Sequence, residues 1–255
     1  MLDSPIISLN QVSKVYANGT IALQGVDLTV RPMEFVSLIG PSGCGKSTVL
    51  RLIAGLGQAS SGRIAWGMNA SERNLAFVFQ DAALMPWANV VDNVYLPLKL
   101  QGKSRRTSRA AIQEAIQMVD LEGFETCYPR ELSGGMKMRV SIARSLVTQP
   151  NILLMDEPFG ALDEITRSRL NSDLLSLWGE KHWTVVFVTH NIYEAVYLSN
   201  RAVVMAAHPG RIVADIPIDA AYPRTDEFRT SSLFNQYCRE VLSYLSPSSP
   251  PAIAL

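Results

Sequence analysis

Nine consecutive residues decide the fold of this chain, and they read Gly40-Pro41-Ser42-Gly43-Cys44-Gly45-Lys46-Ser47-Thr48. They match the phosphate-loop pattern G-x-x-x-x-G-K-[ST], in which backbone N–H groups turn inward around an anion. The apolar stretch 34–39 before them predicts a buried strand, and the spacing of apolar residues over 49–54 predicts a helix. Strand, glycine-rich turn and helix are the context that the motif requires, so this stretch predicts a phosphate site.

The side chains of this loop indicate what kind of phosphate it holds. Lys46 brings a positive charge to the outer phosphates of a nucleotide, and the hydroxyl of Ser47 is a ligand for Mg²⁺. The positive end of the following helix favours the same anion. The alternative is an ordinary Gly/Ser turn before a helix, which does not explain the full motif between these flanks.

Composition limits the other classes of function. The chain has 255 residues, of which 47% are hydrophobic and 18% charged, so it is long enough for one large domain or a domain with a lobe. Its formal net charge is +0, which gives no electrostatic support for nucleic-acid binding, and we expect no nucleic-acid partner. No apolar run approaches the length of a membrane span, and the first residues do not resemble a signal peptide.

The three cysteines, Cys44, Cys127 and Cys238, show neither a disulfide framework nor a metal-binding spacing. This usage fits a reducing cytoplasm. Cys44 lies in an electropositive turn at a helix start, where we expect either a reactive thiol or a small residue that the loop tolerates.

Short strands are predicted ahead of the phosphate loop. Apolar positions alternate over 7–12 and 21–30, with a turn at Asn18-Gly19, which predicts an antiparallel sheet. Tyr16 lies within it and is a candidate for stacking on an adenine ring. The alternative for Tyr16 is a half-buried strand residue.

A second strand-like run, over 75–79, ends at Gln80. An amide at the carboxyl end of a strand lies where ligands bind in α/β sheets. The loop that follows carries three apolar residues that we expect at the surface, Leu84, Met85 and Trp87. Such residues mark a partner contact, or alternatively pack a neighbouring lobe onto the core.

Residues 89–148 predict a helical lobe, because helical periodicity recurs over 90–94 and 108–119 and no long strand interrupts it. At its end, Ser133, Gly134 and Gly135 form a predicted helix start, with Ser133 as the N-cap. This is a second anion site, and one nucleotide does not need two. The arrangement makes sense if this surface caps a nucleotide that is held by another copy.

Two apolar strands end in polar side chains that suit hydrolysis. The run 151–155 leads into Asp156 and Glu157, which face opposite ways and therefore have different roles. We expect Asp156 to hold Mg²⁺ and Glu157 to act as the general base on water. The alternative for such a pair is helix capping. The run 184–189 leads into His190, which is placed to bind a γ-phosphate.

With these pieces together, residues 5–215 resemble the ATP-binding subunit of ABC transporters, because Leu132-Ser133-Gly134-Gly135 precedes Asp156-Glu157 and His190. The resemblance implies an α/β P-loop NTPase (RecA-like) core with an antiparallel β subdomain and an inserted α-helical subdomain. We expect one ATPase domain over 1–240 and a disordered tail over 241–255, which is rich in Pro and Ser after residue 245.

The resemblance also implies roles for individual residues. Tyr16 is the adenine-contacting aromatic residue, residues 40–48 form the phosphate loop, and Ser133, Gly134 and Gly135 form the signature. Gln80 is the Q-loop glutamine, Asp163 the D-loop aspartate and His190 the switch histidine. The implied catalytic residues are Glu157, His190 and Gln80, and the implied Mg²⁺ ligands are Ser47, Gln80 and Asp156. Two ATP molecules would lie between two head-to-tail copies of the chain.

A narrower resemblance rests on Phe79-Gln80-Asp81 with Leu84-Met85-Pro86-Trp87, and on the stretches 159–164 and 208–212. These look like the nitrate/sulfonate/taurine-type bacterial importers. This implies uptake of a small anionic solute through a separate integral membrane permease, with an extracytoplasmic solute-binding protein. The subunit would lie peripherally on the cytoplasmic face of the bacterial inner membrane. The chain departs from the family pattern at Met33, Met136, Met138 and Asn191.

Two alternatives to a transport subunit are considered. A non-transport ABC ATPase of translation or DNA repair usually has two modules or a long coiled coil, whereas this chain has one phosphate loop and a short stretch between Ser47 and Ser133. A non-hydrolysing, nucleotide-gated interaction module would not need Glu157 and His190, and both are present.

Overall fold

The structure is a computed structural model that describes residues 4–245, and two sheets organise it. Its strands, in chain order, are β1 (Ile7–Val15), β2 (Ile21–Val30), β3 (Phe35–Ile39), β4 (Ser61–Trp66), β5 (Leu75–Val78), β6 (Ile152–Asp156), β7 (Thr184–Thr189), β8 (Arg201–Ala206) and β9 (Arg211–Pro217). Its helices are α1 (Lys46–Ile53), α2 (Val90–Leu100), α3 (Arg105–Gln117), α4 (Gly134–Leu146), α5 (Glu164–Lys181), α6 (Ile192–Leu198), α7 (Asp226–Thr230) and α8 (Ser232–Leu245).

The smaller sheet has the order β2-β1-β4 and is antiparallel. Alternate residues of β1 and β2 are buried, as expected of a sheet with one face on a core. The antiparallel sheet that the alternation predicts ahead of the phosphate loop is therefore confirmed, and β4 joins it from beyond that loop.

The larger sheet has the order β5-β6-β7-β3-β8-β9, and all its pairings are parallel except β8 with β9. Every residue of β3, β6 and β7 is buried, which explains why these strands read as continuous apolar runs. Ile39 pairs with Thr189, and Asp156 pairs with Val188. The carboxyl ends of three strands thus meet at one edge and bring together segments that are far apart in the sequence.

Residues 89–148 form the helices α2, α3 and α4, as the periodicity predicts. Each begins at a polar N-cap whose side chain accepts a backbone hydrogen bond, namely Asn89, Ser104 and Ser133. Their apolar faces share one core cluster with the strands of the larger sheet and with α5, so the lobe is packed against the core. Among residues 4–245, no helix is both long and apolar enough to cross a bilayer.

The end of the chain departs from the prediction. The sequence predicts a tail from residue 241, yet α8 continues to Leu245 and Val241 is fully buried. The helix is amphipathic, and its apolar face packs on α6 and β8, so burial stabilises it. The expected disorder is wrong for residues 241–245. The predicted tail over 246–255 lies outside the described residues.

Candidate functional site

Residues 40–45 of the phosphate loop connect β3 to α1. At two of these positions the neighbouring strands leave no room for a side chain. Gly45 has a φ of 93°, and a Cβ there would lie 2.5 Å from Leu23 Cδ2. A Cβ on Gly40 would lie 2.4 Å from the carbonyl oxygen of Met205. The glycines at both ends of the loop are therefore required by β2 and β8, and the backbone between them is held in one shape.

Lys46 is the first residue of α1 and only 4% exposed. Its ammonium donates hydrogen bonds to the carbonyl oxygens of Gly40, at 2.8 Å, and Pro41, at 3.1 Å. The same Nζ lies 3.6 Å from Oε1 of Glu157. A buried positive charge at a helix start, facing the loop, is the electrostatic environment that an anion needs.

Cys44 contradicts one expectation. It is fully buried, and its Sγ lies 3.9 Å from Lys46 Nζ. Burial raises the pKa of the Cys44 thiol, and this effect outweighs the nearby lysine, which lowers it. Since the thiolate is the reactive form, the expected reactive thiol is wrong, and Cys44 is a small core residue of the loop.

Ser47 and Asp156 meet where α1 begins and β6 ends. Ser47 Oγ donates a hydrogen bond of 2.6 Å to Asp156 Oδ1. Burial raises the pKa of Asp156, and the hydrogen bond from Ser47 opposes that rise. Gln80 follows the end of β5, the sheet neighbour of β6, and its side chain is exposed. The sheet thus places all three predicted Mg²⁺ ligands at one edge.

These donors fit magnesium. No cluster of three or more His, Cys, Asp or Glu side chains suited to a metal exists within residues 4–245. Mg²⁺ does not need one, because it is usually bound through one or two carboxylates together with substrate phosphates and water. A hydroxyl, one carboxylate and an amide oxygen beside a phosphate loop are the corresponding set of hard oxygen ligands. Bound there, the ion would neutralise charge on the phosphates.

Glu157 follows β6 and connects the lysine to the histidine. Its Oε2 lies 3.0 Å from Nδ1 of His190, while its Oε1 faces Lys46. Its φ is 46°, a left-handed conformation that costs a non-glycine residue about 1–3 kcal/mol and that is concentrated at functional sites. The candidate base and the switch histidine, which are far apart in sequence, are therefore in contact.

Tyr16 lies at the mouth of the same site. Its Oη is 3.3 Å from Oγ1 of Thr48, and its ring is 40% exposed. Tyr16 directly follows β1 and is partly exposed, so its role as the adenine-contacting ring stays a prediction. The structure brings this ring together with the phosphate loop.

The signature residues and Asp163 form a second, separate surface. Ser133 caps α4 by accepting a hydrogen bond from Met136 N, and Gly135 packs so closely on α5 that a Cβ would lie 2.8 Å from Thr166 Cγ2. Asp163 caps α5, and the backbone N–H of Thr166 lowers the pKa of its carboxyl group. Within residues 4–245, no hydrogen bond or ion pair joins this surface to the phosphate loop. The signature residues and Asp163 are therefore called the second half-site, and the phosphate loop with its neighbours the first.

Sequence reasoning missed a buried carboxylate and a partly buried arginine behind the site. Glu194, on α6, is 5% exposed and accepts a hydrogen bond from Thr189 Oγ1. Arg167, on α5, contacts Glu194 and two carbonyl oxygens of the loop before Asp163. A single acidic residue in the otherwise apolar helix 192–198 is the signal that could have identified Glu194.

Comparison with known proteins identifies the family. The family model described as "ABC transporter" matches residues 23–160. The chain belongs to the ABC transporter family. A Bacillus cereus protein named "Aliphatic sulfonates import ATP-binding protein SsuB" is 43% identical over 242 residues, which cover 92% of this chain and 94% of that protein. An uncharacterized ABC transporter ATP-binding protein of Methanocaldococcus jannaschii is 44% identical over 241 residues, covering 93% and 89% of the two chains.

Solved structures of ABC cassettes share the fold. The dimeric structure of the ABC transporter cassette MJ0796 superposes with a TM-score of 0.73 at 33% identity, covering 84% of this chain and all of that one. A dimeric post-hydrolysis state of the same cassette, bound to ADP and Pi, is 32% identical over the same share. This ABC transporter family member is thus an ATP-binding subunit that couples ATP hydrolysis to transport, with a P-loop NTPase fold. The nucleotide prediction is confirmed at this level.

Proposed function

We propose that this ABC subunit drives uptake of a small organic anion of the sulfonate class. The observation that carries the catalytic part is the contact of Glu157 with both Lys46 and His190, which combines a base with two groups that can face a γ-phosphate. The solute class comes from the relatives named for import of aliphatic sulfonates, which align over nearly the whole chain. The ATPase subunit does not itself contact the solute, so its site does not indicate the solute class.

The second part of the proposal concerns how ATP is held. Tyr16 would stack on the adenine, residues 40–48 would surround the phosphates, and Ser47, Asp156 and Gln80 would hold Mg²⁺. The signature residues and Asp163 of a second, head-to-tail copy would complete each site. The two half-sites, which no hydrogen bond or ion pair joins within residues 4–245, support this arrangement, as does the dimeric cassette of similar fold.

The third part concerns the membrane partner. A groove of about 520 Å³ lies between α2, α4 and β5 and is lined by apolar residues that include Phe79, Ala83, Leu96 and Leu100. Trp87, in the loop that also supplies Ala83 to the groove, is 77% exposed, so it does not simply pack the lobe onto the core. Exposed apolar side chains around a groove indicate a partner site, and we assign it to a cytoplasmic helix of the permease.

This assignment places the subunit peripherally at the cytoplasmic face of the inner membrane, with an extracytoplasmic solute-binding protein in the complex. Neither alternative is favoured by the comparisons, because the similar proteins are transport subunits and a post-hydrolysis state of a similar cassette exists. The chain is neither a translation or repair ATPase nor a non-hydrolysing module on this proposal.

Gene replacement in the source organism tests the proposal. Deletion should abolish uptake of a labelled alkanesulfonate while leaving nitrate uptake intact, and the parent gene should restore it. A Glu157→Gln gene should fail to restore uptake, whereas Glu180→Gln, which makes the same change at an exposed position of α5, should succeed. Normal sulfonate uptake after deletion would contradict the solute class, and rescue by Glu157→Gln would contradict the catalytic assignment.

A further inference from the structure

Arg167 holds the loop that leads to Asp163. From the first turn of α5, its Nη2 donates a hydrogen bond of 2.7 Å to the carbonyl oxygen of Leu162, and its Nε donates one of 3.3 Å to that of Phe159. Its Nη1 pairs with Glu164 at 2.7 Å. One planar guanidinium thus holds the loop 159–163 at two points and the start of α5 at a third, a geometry that the single ammonium of a lysine does not reproduce.

Glu194 fixes the other side of the site. Its carboxylate accepts a hydrogen bond from Thr189 Oγ1, and the same Oγ1 accepts one of 2.9 Å from Asn191 N. Asn191 Oδ1 in turn caps α6 by accepting hydrogen bonds from the backbone N–H groups of Tyr193 and Glu194. Both chain neighbours of His190 are therefore held by Glu194 and the start of α6.

The side chains of Arg167 and Glu194 contact each other behind the site. Arg167 Nε lies 3.7 Å from Glu194 Oε1, and this oxygen has no hydrogen bond within residues 4–245. Glu194 is 5% exposed, and burial raises the pKa of its carboxyl group while Arg167 lowers it. A buried ion pair adds little stability in general and is often replaceable by apolar residues, so its use between two catalytic loops suggests that it sets geometry.

We propose that Arg167 and Glu194 are positioning residues that tie the loop 159–163 to His190. A displacement of that loop would move Arg167, then Glu194 and Thr189, and so reach the histidine that contacts Glu157. The loop ends at Asp163, on the surface that we propose the second copy contacts. Binding of that copy would therefore change the position of His190 through Arg167 and Glu194. This last step rests on the proposed head-to-tail dimer, whereas the link between loop and histidine does not.

Histidine-selective NMR tests the link in the nucleotide-free chain. The sequence has three histidines, so a uniformly ¹⁵N-histidine-labelled sample gives a simple spectrum, and a His190→Gln sample assigns the signal of His190. Arg167→Lys keeps the positive charge but loses the planar guanidinium with its several donors. Glu194→Gln keeps the shape of the side chain but loses its negative charge. Each should shift the His190 signal, although Arg167 does not contact His190, and the two shifts should be non-additive in the double variant.

The matched control is Arg169→Lys, the same change two positions along α5 on a side chain that is 68% exposed. It should leave the His190 signal unchanged. In steady-state assays, Arg167→Lys and Glu194→Gln should lower kcat on the order of tenfold to a hundredfold with the KM for ATP retained, because misplaced catalytic groups slow chemistry without weakening the phosphate loop.

An apolar pair, Arg167→Met with Glu194→Leu, separates positioning from stability, since it removes the buried charges together. The proposal expects this variant to keep the melting temperature of the parent and still to have a low kcat. An unchanged His190 signal in Arg167→Lys would overturn the proposal, as would a folded apolar pair with full kcat. Because the NMR readout needs neither solute nor dimer, its failure is distinguishable from failure of the proposed transport function.

Discussion

Glu157 has a left-handed backbone conformation and contacts both Lys46 and His190. Its role as the base can be tested by a substitution that replaces a single side-chain atom group. Glu157→Gln keeps the shape of the side chain but removes its ability to take a proton from water. We expect this variant to bind ATP, to leave it uncleaved and to remain dimeric. Size-exclusion chromatography with ATP and Mg²⁺ should show the dimer, with the parent and Glu180→Gln as controls. A monomer with occupied sites would contradict the head-to-tail arrangement.

Lys46 supplies the buried positive charge of the phosphate loop. In Lys46→Ala, the two loop carbonyls lose their donor and Glu157 Oε1 loses its neighbouring cation. A charge-assisted contact is worth about 1.5–3 kcal/mol, so ATP affinity should fall about tenfold or more and turnover should be abolished. Titration with a fluorescent ATP analogue measures this, with Lys103→Ala at an exposed position as control. Normal turnover in Lys46→Ala would refute the site assignment.

Individual strands and helices could be predicted from the local sequence where their buried residues follow a regular pattern. Alternation identified β1 and β2, and apolar runs identified β3 and β7, because each pattern follows directly from which faces are covered. No helix is predicted over 232–245, although Phe234, Val241 and Leu245 recur with a helical period. The proline- and serine-rich segment after residue 245 favours a tail, and that prediction begins too early, at residue 241.

The residues of the site likewise fall into those that the sequence predicts and those that it does not. Motif residues such as Lys46 and His190 could be predicted from local sequence, because Lys46 belongs to the phosphate-loop motif and His190 directly follows a predicted strand. The contact of Arg167 with Glu194 could not, since it depends on how α5 and α6 lie against each other. The burial of Cys44 was also not predictable, because residues that lie against it come from other segments, among them Gly210, whose Cβ would lie 2.3 Å from the Cys44 carbonyl oxygen.

The segment between β9 and α7 offers a prediction on alkaline stability. Tyr222 donates a hydrogen bond of 2.9 Å to the carbonyl oxygen of Leu198, at the end of α6, and its ring packs on Trp178. Burial raises the pKa of Tyr222 to about 12, from an ordinary value of 10.0. The folded state therefore retains the proton longer than the unfolded state, so stability present below pH 10 is lost as the pH rises towards 12.

Across that interval the free energy of unfolding of the parent should fall by about 2 kcal/mol more than that of Tyr222→Phe, which has no phenol to ionise. Urea unfolding at a series of pH values that spans this interval measures the difference. Tyr244→Phe, at a ring that is 49% exposed, is the control and should follow the parent. Parallel curves for the parent and Tyr222→Phe would show that Tyr222 ionises as freely in the folded chain.

In the whole molecule, α4 connects the groove to the second half-site. Its N-terminus carries Ser133, and near its other end Arg144 donates hydrogen bonds of 2.7 and 2.8 Å to the carbonyl oxygens of Ala82 and Ala83. These carbonyls belong to the loop after Gln80, and Arg144 lines the groove. A helix seated in the groove would therefore contact β5, which leads to the proposed Mg²⁺ ligand Gln80, and α4, which begins at the signature. This is a physical route from ATP to the membrane.

The contact itself is best tested at exposed positions. Leu84 is half-buried against the core cluster, so its replacement would mix unfolding with loss of the contact, whereas Trp87 is 77% and Leu100 80% exposed. Replacing both by Ser should leave the isolated subunit folded, ATP-binding and hydrolytic. The same double variant should lose sulfonate uptake and be released from permease-containing membranes, measured by co-sedimentation and transport. Leu56→Ser, at a residue 61% exposed beyond α1, is the control. Full uptake with normal membrane association would contradict this docking site, because the most exposed apolar side chains of the loop and of α2 would be absent without effect.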